Sequence, residues 1–169
     1  MFPHVSRRSG LVKRGMTDDE DMIWMRRALE LADHGESRDE VPVGCVIVRD
    51  GALIGEGWNR PISTSDPTAH AEIVALRDAA QRIGNYRLSG ATLYVTLEPC
   101  LMCTGAMVHA RIGRLVFGAP DPRRGAVNST THAFETQGLN HRVDIRGGVL
   151  EEECAGRLRA FFRARRSAG

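Results

Sequence analysis

The chain has 169 residues, 42% hydrophobic and 26% charged, which suits one domain with a full core and excludes a disordered or fibrous protein. No stretch approaches the roughly 18 apolar residues of a membrane-spanning helix. The formal net charge of +2 conceals an acidic body between basic ends: Arg7, Arg8, Lys13 and Arg14 near the start, and Arg157, Arg159, Arg163, Arg165 and Arg166 near the finish.

Residues 1–16 hold no apolar core of signal-peptide length and read as a flexible basic tail, leaving 17–169 as a single domain. Four cysteines make a poor disulfide framework for this length, which points to a reducing cytoplasm. Cys45 and Cys154 are expected to be buried small hydrophobes. Every basic residue except Lys13 is arginine. That bias suits phosphate recognition and base stacking, and a GC-rich gene would produce it equally well.

Thr17-Asp18-Asp19-Glu20 has the form of a capping box, and Met22, Met25, Leu29 and Ala32 follow at helical spacing. A helix is predicted over 18–34. Val43 to Val48 is a short strand, Asp50-Gly51 a hairpin turn, and Ala52 to Gly57 the returning strand. Asn59 to Pro67 reads as a loop leading into a helix over 70–83. Ala91 to Leu97 is the clearest strand, and Pro99 is placed to start a helix carrying Cys100 and Cys103. Strands over 114–118 and 143–147 and a helix over 151–166 complete the set. This order predicts an α/β fold, a three-layer α/β/α sandwich on a five-stranded mixed sheet.

His70-Ala71-Glu72 and Pro99-Cys100-Leu101-Met102-Cys103 together give His-x-Glu followed by Pro-Cys-x-x-Cys, the signature of the zinc-dependent nucleobase deaminases. His70, Cys100 and Cys103 supply three ligands for one Zn2+ per subunit and leave a fourth position for water, as catalytic zinc requires. A structural site needs four ligands, and no second Cys-x-x-Cys or His-x-x-x-His is present. Cys100 and Cys103, three apart, share a helical face, and a helix N-terminus favours their thiolates. Glu72 is the expected catalytic residue, carrying a proton from the water to the base. The remaining histidines, His4, His34, His109, His132 and His141, have no such context.

Beyond this signature the chain resembles the bacterial tRNA adenosine deaminase family, the TadA type. The likeness runs from about Trp24 to Arg166. It rests on Glu40-Val41-Pro42-Val43-Gly44, Gly57-Trp58-Asn59-Arg60-Pro61, Asp66-Pro67-Thr68-Ala69-His70-Ala71-Glu72, Asn85-Tyr86-Arg87-Leu88, Thr96-Leu97-Glu98-Pro99-Cys100, Gly105-Ala106-Met107, Arg111-Ile112-Gly113-Arg114 and Phe161-Phe162-Arg163. The resemblance implies a cytidine-deaminase-like fold and a homodimer. It also implies conversion of the wobble adenosine of an arginine tRNA anticodon to inosine, with the anticodon stem-loop as RNA partner. An anticodon loop presents unpaired bases, so drawing one into a pocket costs less than flipping it from a duplex.

By the same resemblance Asn59 contacts the target base. Asp121, in the loop Ala119 to Arg124, is a further substrate-binding candidate together with Ala71 and Arg163. The family's loop usually has no second proline at this place, and here Pro122 follows Pro120. Phe161 and Phe162 are adjacent, so one faces the core and the other is free for RNA or a partner subunit. The alternative activity is deamination of free nucleobases or nucleosides, of guanine or cytosine type, on the same zinc site. A non-catalytic zinc or RNA-binding scaffold would have no need of Glu72.

Overall fold

Helix α1 (Asp18–Glu36) begins with the expected capping box: the Glu20 amide donates to the Thr17 hydroxyl at 3.2 Å, and the Thr17 amide to the Glu20 carboxylate at 2.9 Å. Both exchanges satisfy amides that a helix start leaves open. The computed structural model describes residues 17–169; the tail expected at residues 1–16 lies outside the described residues.

Strands β1 (Gly44–Arg49) and β2 (Ala52–Trp58) form the hairpin. Its turn holds Asp50 at φ 53° and Gly51 at φ 75°, the paired left-handed conformations that match the twist of a two-residue turn. Helices α2 (Pro61–Thr64) and α3 (Ala71–Ile83), strand β3 (Thr92–Leu97), helix α4 (Leu101–His109), strands β4 (Arg114–Ala119) and β5 (Asp144–Arg146), and helix α5 (Glu151–Ser167) follow. The sheet order is β2-β1-β3-β4-β5. β1 is antiparallel to both neighbours, whereas β3, β4 and β5 run parallel.

Alternation along the strands builds two cores, because successive side chains point to opposite faces. Cys45, Ile47, Leu93, Val95, Leu115 and Phe117 meet Ala75 of α3 and Met107 of α4. Val46, Val48, Tyr94 and Val116 meet Met25 and Leu29 of α1 and Cys154 of α5. The expected five-stranded mixed sheet and three layers are both present. Cys45 and Cys154 are buried, as expected of small hydrophobes. No helix among the described residues is long and apolar enough to cross a membrane.

Three details differ from the sequence reading. The 59–67 loop contains α2, started by Pro61, whose fixed φ suits a first helical turn. A short 3-10 turn at Ala133–Glu135 also went unread. Lastly, α3 and α4 start at Ala71 and Leu101, so His70 and Cys100 sit just before their helices in extended backbone, at ψ 154° and 174°. Gly57 fixes where α3 begins: a Cβ there would stand 2.6 Å from the Ala71 carbonyl oxygen and the Ala75 amide. The helix therefore lies directly on β2 and brings its first turn to the end of the sheet.

Candidate active site

The parallel strands β3 and β4 end on the side where α3 and α4 begin. His70 occupies the cap of α3, Cys100 the cap of α4, and Cys103 the first turn of α4. Neither residue makes the usual side-chain capping bond at its helix start, and the imidazole and the thiol meet. His70 Nδ1 lies 3.5 Å from the sulfur of Cys100 and 3.5 Å from that of Cys103. All three ligand atoms fall within 4.8 Å of one another.

These distances fit zinc. Zn–S of about 2.3 Å and Zn–N of about 2.0–2.1 Å at a tetrahedral angle place nitrogen and sulfur about 3.6 Å apart. Hydrogen bonding to Cys103, and then to His70, lowers the Cys100 thiol to about 4 against the opposition of burial. The His70 imidazole is raised, chiefly by Cys100. The Cys103 thiol is pushed up, first by hydrogen bonding with Cys100 and then by burial, so the cluster favours a thiolate at Cys100, and coordination of a metal would draw the second proton from Cys103.

Glu72, in the first turn of α3, is 4% exposed. Burial pushes its carboxyl up, while hydrogen bonding with Cys103 pulls the other way. Desolvation of this kind suits a carboxyl that takes and returns protons near neutrality.

His70, Cys100 and Glu72 line a cleft of about 600 Å³, with Cys103 fully buried. Asn59, just past β2, lines it too, its amide held by the Val43 carbonyl at 3.0 Å. The segment after β4 forms the opposite rim with Asp121, Arg123 and Arg124. Asp121 Oδ1 accepts the amides of Arg123 at 3.1 Å and Arg124 at 3.2 Å, so one carboxylate oxygen shapes the turn that carries both arginines.

Two expected contacts are placed elsewhere. Ala71 turns its methyl into the core and does not line the cleft, because the first turn of α3 packs down on β2. Arg163 is exposed on α5; that helix instead brings Leu158 and Phe162, four residues apart on one face, to the cleft. Of the two adjacent aromatics, Phe161 is buried and Phe162 is exposed. Arg165 stacks over the Phe161 ring at 4.5 Å and donates to the Asp39 carbonyl at 2.6 Å, so it is engaged within the fold.

The structure adds residues not singled out from sequence. Val41, Val43 and Leu97 give the cleft an apolar lining. Glu98, in the turn between β3 and Cys100, is 2% exposed. Burial opposes its charge, yet the Ser129 hydroxyl and several backbone amides hold its carboxyl below the ordinary range. Its signal was its place in Thr96-Leu97-Glu98-Pro99-Cys100.

A His at a helix start and two cysteine sulfurs beside a buried carboxyl group, at the end of a five-stranded mixed sheet, define a zinc-dependent nucleobase deaminase. Residues 18–119 match the family model for the cytidine and deoxycytidylate deaminase zinc-binding region. The tRNA-specific adenosine deaminase of Haemophilus influenzae is 57% identical over 88% of this chain and 85% of its own. That of Bacillus subtilis is 43% identical over 88% and 91%. A structure from a study of A-to-I editing by tRNA:A34 deaminases at the wobble position superposes with TM-score 0.79, at 46% identity over 80% of this chain and 99% of that one. A guanine deaminase from Nitrosomonas europaea gives TM-score 0.73 at 25% identity, over 83% of each chain. The chain belongs to the tRNA-specific adenosine deaminase family, within the zinc-binding cytidine and deoxycytidylate deaminases.

Proposed function

We propose that this enzyme converts the adenosine at the wobble position of an arginine tRNA anticodon to inosine, consuming water and releasing ammonia. The observation that carries the reading is the meeting of a three-ligand cluster and buried Glu72 in a cleft rimmed by Asn59 and two arginines. Family membership favours adenosine in tRNA over a free base.

His70, Cys100 and Cys103 would hold one Zn2+ per subunit. When bound, zinc supplies a Lewis acid that lowers the pKa of a bound water to about 7. Glu72 takes the first proton of the water and delivers it to the ring nitrogen beside the reacting carbon; it then carries the second proton from the oxygen newly bonded to that carbon to the amine, which departs as ammonia as the C–N bond breaks and the carbonyl forms. The burial of Glu72 keeps bulk water from competing for these protons. Asn59 offers both a donor and an acceptor to the base, and Val41, Val43 and Leu97 surround its apolar faces.

Outside the pocket, Phe162 presents a ring on which a neighbouring unpaired base stacks. Arg123 and Arg124 lie opposite, suited to phosphate or base, with Asp121 setting their turn. Arg163, one residue beyond Phe162, is assigned to phosphate outside the cleft. Leu101 and Met102 expose apolar surface next to Cys100, which supports a homodimer formed over α4. A tRNA substrate fits a cytoplasmic enzyme.

Position-resolved mapping of inosine in total tRNA treated with the zinc-loaded protein tests this reading. Inosine is expected at the first anticodon position of arginine tRNA; inosine at other positions, or in other tRNAs to the same extent, contradicts it.

A further inference from the structure

The β3–α4 turn delivers Cys100 to the metal cluster, and its Glu98 does something that zinc chemistry does not demand. Its amide donates to the Ala119 carbonyl at 2.8 Å, joining the ends of β3 and β4. Its carboxylate enters the segment that follows β4. Oε1 accepts the Asp121 amide at 3.2 Å and the Ser129 hydroxyl. Oε2 accepts three successive amides, Val127 at 3.1 Å, Asn128 at 3.0 Å and Ser129 at 3.1 Å. Backbone amides converging on one anion form a nest, and charge-assisted bonds of this kind are about twice as strong as neutral ones.

The cradle is sized for that side chain. A Cβ on Gly125 would overlap the carboxyl group of Glu98 and stand 2.6 Å from the Asp121 carbonyl oxygen. Pro99 adds a second tie, its carbonyl accepting the Ala126 amide at 2.8 Å. The same segment carries Asp121, Arg123 and Arg124 along the cleft. One end of a three-residue stretch therefore sets a metal ligand, while the other end sets the substrate rim.

We infer that Glu98 is a positioning residue: its carboxylate holds the 121–130 segment in register with Cys100, so that the cleft rim and the metal cluster keep one fixed spacing. Glu98 touches neither metal nor substrate. Its effect reaches the reaction through Asp121, Arg123 and Arg124, and so falls on binding of the RNA more than on turnover. The assignment rests on the reading of the cleft as an RNA site.

Glu98→Gln keeps the size of the side chain, removes its charge, and turns a donor toward amides that are themselves donors. The zinc-loaded variant is expected to bind a full complement of zinc and to exchange the Val127, Asn128 and Ser129 amides at least tenfold faster than wild type. The KM for an anticodon stem-loop should rise about tenfold with kcat changed much less, in line with the usual cost of losing a supporting contact. Ser129→Ala, which removes one donor, should shift exchange and KM in the same direction by less, and serves if Glu98→Gln does not fold. Unchanged exchange in 125–130, or faster exchange with an unaltered KM, overturns the assignment. A loss confined to kcat, or loss of zinc in Ser129→Ala, overturns it as well. Wild-type protein that forms no inosine defeats the RNA reading instead, and the exchange data still decide the role of Glu98 in holding the segment.

Discussion

Asp21 of α1 receives both guanidinium nitrogens of Arg114 on β4, each at 2.7 Å, across 93 residues of sequence. The carboxylate is fully buried and also takes the Tyr94 hydroxyl at 2.9 Å and an Arg146 N–H at 2.6 Å. One acidic side chain thus fastens α1 to β3, β4 and β5. Burial raises its pKa, but the bonds from Arg114, Tyr94 and Arg146 outweigh that and leave it lowered.

Replacing Asp21 by Asn should cost about 3 kcal/mol, because half-buried Arg114 and buried Tyr94 lose their charged partner. The folded carboxyl titrates below its unfolded value of about 3.9. Its contribution is therefore complete above about pH 4 and fades as pH falls through the folded pKa. Urea melts of wild type and Asp21→Asn should differ at pH 7 and converge toward pH 2; a constant difference across that range contradicts the assignment.

Glu72→Gln keeps the shape of the site and removes the proton carrier. Single-turnover deamination should slow by about 10²- to 10⁴-fold, while metal analysis finds the zinc content unchanged. Full turnover in the zinc-loaded variant excludes Glu72 from proton transfer.

Asn59→Ala removes a side chain that lines the cleft, while the main-chain tie to Val43 remains. Its melting temperature should match wild type, and kcat/KM for the stem-loop should fall by about 2 kcal/mol, roughly 30-fold. An equal loss in kcat/KM and in stability would make Asn59 a turn residue only.

The basic residues divide by what already occupies them. Arg157 pairs with Asp33, Arg159 with Glu152, and Arg165 with the Asp39 carbonyl, whereas Arg123 and Arg124 extend along the cleft. Arg123→Ala and Arg124→Ala should each reduce the slope of log affinity against log salt by about 0.7, the value for one phosphate on a single strand. Arg165→Ala should leave the slope unchanged. Equal slopes for all three variants would remove the rim from phosphate binding.

The candidate ligands and the sheet were readable in sequence because each part is a short local pattern: two thiols three apart, a His-x-Glu, the β-branched run Val43 to Val48 and the strand Ala91 to Leu97. The helix starts were read slightly early, because His70 and Cys100 hold extended backbone at the caps and their helices begin one residue later. Adjacent Phe161 and Phe162 showed that one would be free but not which; packing of α5 decided it. Asp21 stayed invisible and Glu98 showed only as a member of the Thr96 to Cys100 motif, since the partners that give them meaning lie 73 to 125 and 23 to 31 residues away. Arg163 was assigned from the Phe161-Phe162-Arg163 motif, and only the helix face shows Phe162 to be the residue at the cleft.

The central claim is that this zinc site acts on adenosine held in RNA. Its most direct test is a comparison of kcat/KM, with one zinc-loaded preparation, for an arginine anticodon stem-loop and for free guanine, cytosine and adenosine. Inosine in the stem-loop, with the free compounds at least a thousandfold poorer, is the predicted result. Efficient deamination of a free base or nucleoside with the stem-loop untouched would contradict it.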